Sequence, residues 1–196
     1  MAYMPTPMTS PTGASPRIIT VFASSSPRTP AAYCAAAAEL GRGIAEAGWI
    51  LRNGAGADGG MGAMTDAALA AGGVVQGVNL QAFVDQGFLH SGLDGVRIVP
   101  TMRERKRLLG EEADAFVALP GGPGTWEELW EVVVERQIGS HAAPLILCNV
   151  DGFYDGFITT LQRAAADGLL YGPAEDLLHC CPSSAGCLAH LKSLWQ

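Results

Sequence analysis

The sequence is short of charge. Only 16% of its 196 residues are Asp, Glu, Lys or Arg, and acidic residues outnumber basic ones by 19 to 12. A formal net charge of −7 leaves no basic stripe to meet a phosphate backbone, so a nucleic-acid partner is excluded. A small anionic ligand is not, because a few local donors hold one whatever the global charge. No apolar run approaches the ~20 residues that span a bilayer, and no membrane association is expected. Cysteine is sparse and unpatterned: Cys34, Cys148, Cys180, Cys181 and Cys187 are odd in number and contain no CxxC pair. That supports neither a disulfide framework nor a zinc site, even with His179 and His190 nearby, and fits a cytoplasmic, reducing location. Residues 1–16, rich in Pro, Thr, Ser and Met, have neither the basic start nor the apolar centre of a signal peptide. They are expected to form a flexible tail.

Apolar material is plentiful, at 48% of the chain, and the length suits one domain over residues 17–196. From Arg17 onward, short β-rich runs alternate with helical stretches. Strands are predicted at Ile18–Phe22, Trp49–Arg52, Val74–Val78, Val96–Val99, Ala115–Leu119 and Leu145–Asn149. Helices are predicted at Ala31–Ala47, Met61–Ala71, Met102–Glu112, Trp126–Ile138 and Phe153–Ala166. Gly48, Gly72 and Gly168 follow three of these helices, where a left-handed residue ends the turn. The strands are continuously apolar, as in a parallel sheet covered on both faces. The expectation is therefore an α/β, Rossmann-like, doubly wound sheet in three layers, with its ligand at the carboxyl edge of the strands.

Three segments fall on that edge. Pro120-Gly121-Gly122-Pro123-Gly124-Thr125-Trp126-Glu127-Glu128 joins a strand to a helix. Its glycines expose consecutive N–H groups, and the helix adds its positive end, which together make an anion site. The missing GK[ST] ending rules out a Walker A loop. Thr125 and Glu128 have the spacing of a helix capping box, which leaves a capping and a chemical role for Glu128 equally open. Gly54-Ala55-Gly56-Ala57-Asp58-Gly59-Gly60-Met61-Gly62 contains a literal GxGxxG. It follows the second strand and no acidic residue ends the next one, so it reads as a pocket wall rather than a dinucleotide fingerprint. Met102-Arg103-Glu104-Arg105-Lys106-Arg107 opens a helix. Met102 and Arg105 share a side, so Arg105 either clamps a phosphate or ribose or lies on a solvated face. Ser24-Ser25-Ser26 adds hydroxyls after the first strand, and His141 reads as a turn residue.

Taken together these residues resemble the LONELY GUY (LOG) family of cytokinin-activating phosphoribohydrolases, often labelled lysine decarboxylases. Pro120 through Glu128 meet the family pattern PGGxGTxEE in full. Met102, Arg105 and Lys106 meet MxxRK. Gly54, Gly56, Gly59, Met61 and Gly62 meet GGGxxGLMG, with Ala55 and Gly60 as departures. The resemblance covers about residues 17–170. It implies hydrolysis of the N-glycosidic bond of a purine nucleoside 5′-monophosphate to free base and ribose 5-phosphate, with no metal or organic cofactor. It puts catalysis on Arg105 and Glu128. Substrate and phosphate contacts fall to Met102, Lys106, Gly121, Gly122, Gly124, Thr125, Glu127, Gly59 and Ser25. A homodimer or larger homo-oligomer is implied, in keeping with the low charge and the Trp126/Trp130 pair. Decarboxylase chemistry is not expected, since no lysine has a pyridoxal-binding context. The segment Val78-Asn79-Leu80-Gln81-Ala82-Phe83-Val84-Asp85-Gln86 departs from the family, which usually has Ile-Pro there. The rival is a non-catalytic binder of the same fold, such as a molybdenum cofactor carrier or a nucleotide sensor.

Overall fold

In the computed structural model, residues 15–93 and 95–196 are described, so most of the expected tail lies outside them. The elements run β1 (Ile18–Phe22), α1 (Ala31–Glu46), β2 (Ile50–Asn53), α2 (Gly59–Ala70), β3 (Val74–Leu80) and α3 (Gln81–Val84). Then follow β4 (Arg97–Val99), α4 (Met102–Gly110), β5 (Ala115–Ala118), α5 (Pro123–Gln137), β6 (Leu145–Cys148), α6 (Asp155–Ala166), β7 (His179–Cys181) and α7 (Ser184–Ser193). The strands form one seven-stranded sheet in the order β4-β3-β2-β1-β5-β6-β7. Every pairing is parallel. The chain lays strands outward from β1 to β4, then returns to place β5 against the other side of β1. The order reverses between β1 and β5, and that is where a doubly wound sheet opens a crevice at its carboxyl edge.

Side-chain alternation along the strands builds a core on each face. Ile19, Val21, Leu51, Val117 and Ile146 pack with Leu40 and Ile44 of α1, Met64 of α2 and Leu191 of α7. Phe22, Phe116, Leu145 and Leu147 face the other way, against Leu109 of α4, Leu129 and Val132 of α5 and Leu161 of α6. The three expected layers are present. Among the described residues no helix is long and apolar enough to cross a membrane.

The core elements stand where the patterning put them, and the departures are instructive. Gly48, Gly72 and Gly168 do adopt positive φ, at 71°, 74° and 73°. Helix α5 starts at Pro123, three residues earlier than predicted, because Pro fits the first helical position, where an N–H has no partner in any case. The C-terminal segment was left without elements, yet it adds β7 and α7. Strand β7 has only three residues, two of them exposed, so it lacks the apolar run that announces a buried strand. The cap of α4 was also missed. Thr101 accepts the Glu104 amide at 3.2 Å, which fixes the start of the helix that carries Arg105.

Candidate active site

A cleft of about 480 Å³ lies across the carboxyl ends of β5, β1, β2 and β3. At one end is the start of α5. Gly122 is its N-cap, Pro123 has no N–H, and the first amide to close a helical bond is that of Trp126, to the Gly122 carbonyl at 3.0 Å. No backbone carbonyl among the described residues takes the amides of Gly121, Gly122, Gly124 or Thr125. Orphan donors at the positive end of a helix attract an anion. A side chain added at Gly122 or Gly124 would meet no atom within 4 Å, so the space above the turn is open. Gly121 differs: a methyl there would collide with the Thr125 side chain, so this glycine shapes the turn and borders a neighbouring shallow hollow.

The capping role for Glu128 does not survive. Thr125 stands at the third helical position rather than at the cap, which carries Glu128 into the second turn, too far along to reach back. Its carboxylate instead faces Arg105 from α4. Arg105 Nη1 donates to Glu128 Oε1 at 2.7 Å, with each side chain only 7% exposed. Arg105 Nε also donates to the Val78 carbonyl, at 3.2 Å, near the end of β3. The guanidinium lies over Gly54, where an added methyl would collide with Nη2. Gly54 therefore serves this site by having no side chain. Burial pushes the Glu128 carboxyl up from its ordinary range. The cation and hydrogen bond of Arg105 oppose that shift, while Glu127 and Glu131 reinforce it. Glu128 Oε2 has no hydrogen-bond partner among the described residues, and the residue lines both the cleft and a groove between α4 and α5.

The other expected site residues divide into two groups. Met102, Ser25, Gly122, Gly124 and Thr125 line the cleft with Arg105 and Glu128. Gly59, Lys106 and Glu127 do not. Gly59 has φ of 62° and is closed in by the carbonyls of Ser24 and Ser26, so it holds two loops together behind the wall. Lys106 turns away to pair with Glu127 and Glu131. That pairing raises its pKa, chiefly through the Glu127 hydrogen bond, and Lys106 and Glu131 line a groove between α4 and α5. Where the family pattern has glycine, Ala55 holds φ of 57°. Its backbone is pinned on both sides, its N–H by Asn53 Oδ1 at 2.8 Å and its carbonyl by the His90 amide at 2.9 Å. Sequence reasoning missed Asn79, Phe83 and Phe88, which close the end of the cleft remote from α5. The one available signal was Asn79 itself, a polar residue ending an apolar strand.

Comparison with known proteins agrees with this geometry. A family model described as "Possible lysine decarboxylase" matches residues 61–191. A probable cytokinin riboside 5′-monophosphate phosphoribohydrolase of Oryza sativa subsp. japonica is 38% identical over 90% of this chain and 72% of its own. The cytokinin riboside 5′-monophosphate phosphoribohydrolase of Rhodococcoides fascians is 34% identical over 91% and 90%. This chain belongs to the LOG family. Among solved structures, the molybdenum cofactor binding protein of Rippkaea orientalis superposes with a TM-score of 0.72 at 20% identity, over 93% of this chain and 99% of that one. The molybdenum cofactor carrier protein of Chlamydomonas reinhardtii gives 0.69 at 24%, over 92% and 98%. At those identities the likeness is one of fold alone. The LOG relatives match at 34–38% instead, and Arg105 and Glu128, the pair that carries the family pattern, meet in this cleft.

Two variants check the geometry. Gly122→Val leaves the fold intact, since its Cβ has room, but fills the anion space. AMP affinity falls at least about tenfold, as expected for losing charge-assisted hydrogen bonds of ~1.5–3 kcal/mol each. Calorimetric titration showing wild-type affinity in the folded variant contradicts the assignment. Arg105→Met strands a buried carboxylate and destabilises the protein by about 3–5 kcal/mol at pH 8. Without the cation, burial holds the folded Glu128 pKa above the unfolded one. The group's contribution is then present below the unfolded value and lost as pH rises through the folded value. Urea melts of the variant should therefore recover much of the loss near pH 5. An equal deficit at both pH values contradicts a buried, charge-paired Glu128.

Proposed function

We propose that the protein hydrolyses the N-glycosidic bond of a purine nucleoside 5′-monophosphate, releasing free base and ribose 5-phosphate. The observation that carries this reading is the buried Arg105–Glu128 pair opening onto a cleft with unpaired amides at one end. The amides of Gly122, Gly124 and Thr125 take the 5′-phosphate, and the ribose lies over Glu128. As the bond between C1′ and the base nitrogen breaks, its electron pair leaves with the base and C1′ gains oxocarbenium character. The Glu128 carboxylate stabilises that positive charge and orients the attacking water through Oε2. The water oxygen bonds to C1′, and its displaced proton balances the charge on the departing base. Arg105 keeps Glu128 ionised despite its burial, and Nη2, free of protein partners among the described residues, faces the sugar. A lysine-dependent decarboxylation has no support here. No lysine lines the cleft, and Lys106 is committed to Glu127 and Glu131.

The second part of the proposal is self-association. Trp126, Trp130 and Val134 of α5 and Ile138 at its C-cap recur every four residues and are 45%, 40%, 50% and 60% exposed. An apolar stripe on the outer face of this helix matches a homodimer interface. The free cysteines, three of them buried, suit a cytoplasmic setting.

Catalysis is tested with Glu128→Gln, which preserves shape and hydrogen-bonding reach but removes the charge. Turnover of AMP and N6-isopentenyl-AMP to base and ribose 5-phosphate should fall roughly 100-fold or more, the usual cost of removing one electrostatic stabiliser. Wild-type rates in this variant contradict the mechanism. A wild type that binds AMP tightly without cleaving it would restore the carrier reading. Sedimentation at micromolar concentration should give about twice the 20.4 kDa chain mass. A species of single-chain mass argues against the dimer.

A further inference from the structure

The polar side chains around the cleft are mostly committed to the protein itself. Asn53 donates to Thr65 Oγ1 at 2.9 Å and accepts from the Ala55 amide at 2.8 Å. Ser24 Oγ accepts from the Ser26 amide and from Thr29 Oγ1. Asn79 is different. It is only 2% exposed, and its Oδ1 accepts from the Leu80 amide at 2.8 Å. That bond settles the orientation of the amide, because only the oxygen can accept from an N–H. The Nδ2 group must then point the other way. It has no protein acceptor among the described residues, and Asn79 borders the cleft. The rest of the side chain is enclosed, so these two donors are open only to the cleft and take their acceptor from whatever occupies it, water or ligand.

Position indicates what does. Asn79 lies near the end of β3, three strands from β5, so about 14 Å of sheet edge separates it from the turn that opens α5 at ~4.8 Å per strand. A nucleoside monophosphate laid from phosphate to the far edge of its base covers most of that distance. Phe83 and Phe88 line the same end of the cleft and offer apolar faces to a planar ring, while Asn79 offers one donor edge. Val78, the preceding residue, holds Arg105 through its carbonyl, so the amide adjoins the catalytic pair on the side to which the base departs. We propose that Asn79 donates a hydrogen bond from Nδ2 to a purine ring nitrogen and stabilises the base as it takes up the electron pair of the breaking bond. This inference rests on the hydrolase reading. A contact that strengthens as negative charge develops on the base acts on kcat more than on KM.

The test pairs two variants with two substrate analogues. Asn79→Asp retains an oxygen for the Leu80 amide and replaces the donor by an acceptor. Asn79→Leu removes both functions and controls for the added charge. Each is assayed with AMP, 3-deaza-AMP and 7-deaza-AMP for kcat and KM, and AMP binding is measured separately. Any intrinsic difference in the reactivity of the analogues is common to all the proteins. The expected result is a tenfold or greater preference of the wild type for AMP over one deaza analogue, beyond the preference either variant shows. The analogue that shows it identifies the nitrogen. The AMP kcat of both variants falls by a similar factor while AMP affinity changes little. The proposal is overturned if wild type and variants discriminate equally, or if the loss appears in affinity alone. A wild type that binds AMP but cleaves none of the three substrates overturns the hydrolase reading instead, and the inference with it.

Discussion

An arginine and a glutamate in contact at 2.7 Å with almost no water around them must both be held by other groups, or the pair would open or discharge. Much of the carboxyl edge of the sheet does that holding. The end of β3 supplies a carbonyl to Arg105 Nε. The turn after β2 supplies empty space at Gly54, where any side chain would meet the guanidinium. Helix α4 begins where Thr101 caps it, which sets the rotation of Arg105, and α5 begins at Gly122, which sets that of Glu128. Four elements distant in sequence thus converge on one ion pair, and the parallel sheet is the frame that brings them together.

The same topology separates the tasks along the cleft. At the reversal of strand order between β1 and β5, the start of α5 presents unpaired amides to an anion without using any charged side chain there. Such an anion site is compatible with a net charge of −7. Among the described residues Arg105 is the only cation lining the cleft, and it is paired with Glu128. The remote end turns apolar at Phe83 and Phe88, on a segment tied back by the bridge between Gly56 and Leu89 and by His90, whose ring meets Asp66 at 3.0 Å. On the proposed reading, phosphate, sugar and base are each met by a different kind of chemistry.

Much of this could be read from the residues, and the failures have physical causes. The apolar strands and their glycine-terminated helices announced the doubly wound sheet, because burial on both faces leaves a strong signal in composition. The anion turn was legible because few other functions need three glycines between a strand and a helix. The role of Glu128 was not, since the spacing of Thr125 and Glu128 suits a cap equally well and only the start of α5 at Pro123 excludes the cap. Lys106 and Glu127 show the opposite limit. Both sit in motif positions, yet they turn outward and satisfy one another, because one step along a helix rotates a side chain by about 100°. Asn79 and Phe83 stand out in the sequence only as part of a segment that departs from the family, because their meaning depends on which cleft they enter. The short β7 is held by its pairing to β6 rather than by its own pattern.

The central claim is that a carboxylate pushed up by burial, and kept ionised by one arginine, does the chemistry. The pH dependence of kcat/KM for the wild-type protein with AMP tests this most directly. Burial raises the Glu128 pKa and the reaction needs the ionised form, so activity should fall on acidification with a midpoint above the ordinary glutamate value of 4.5. A rate that holds level down to that value, in a protein shown to remain folded, would contradict the account.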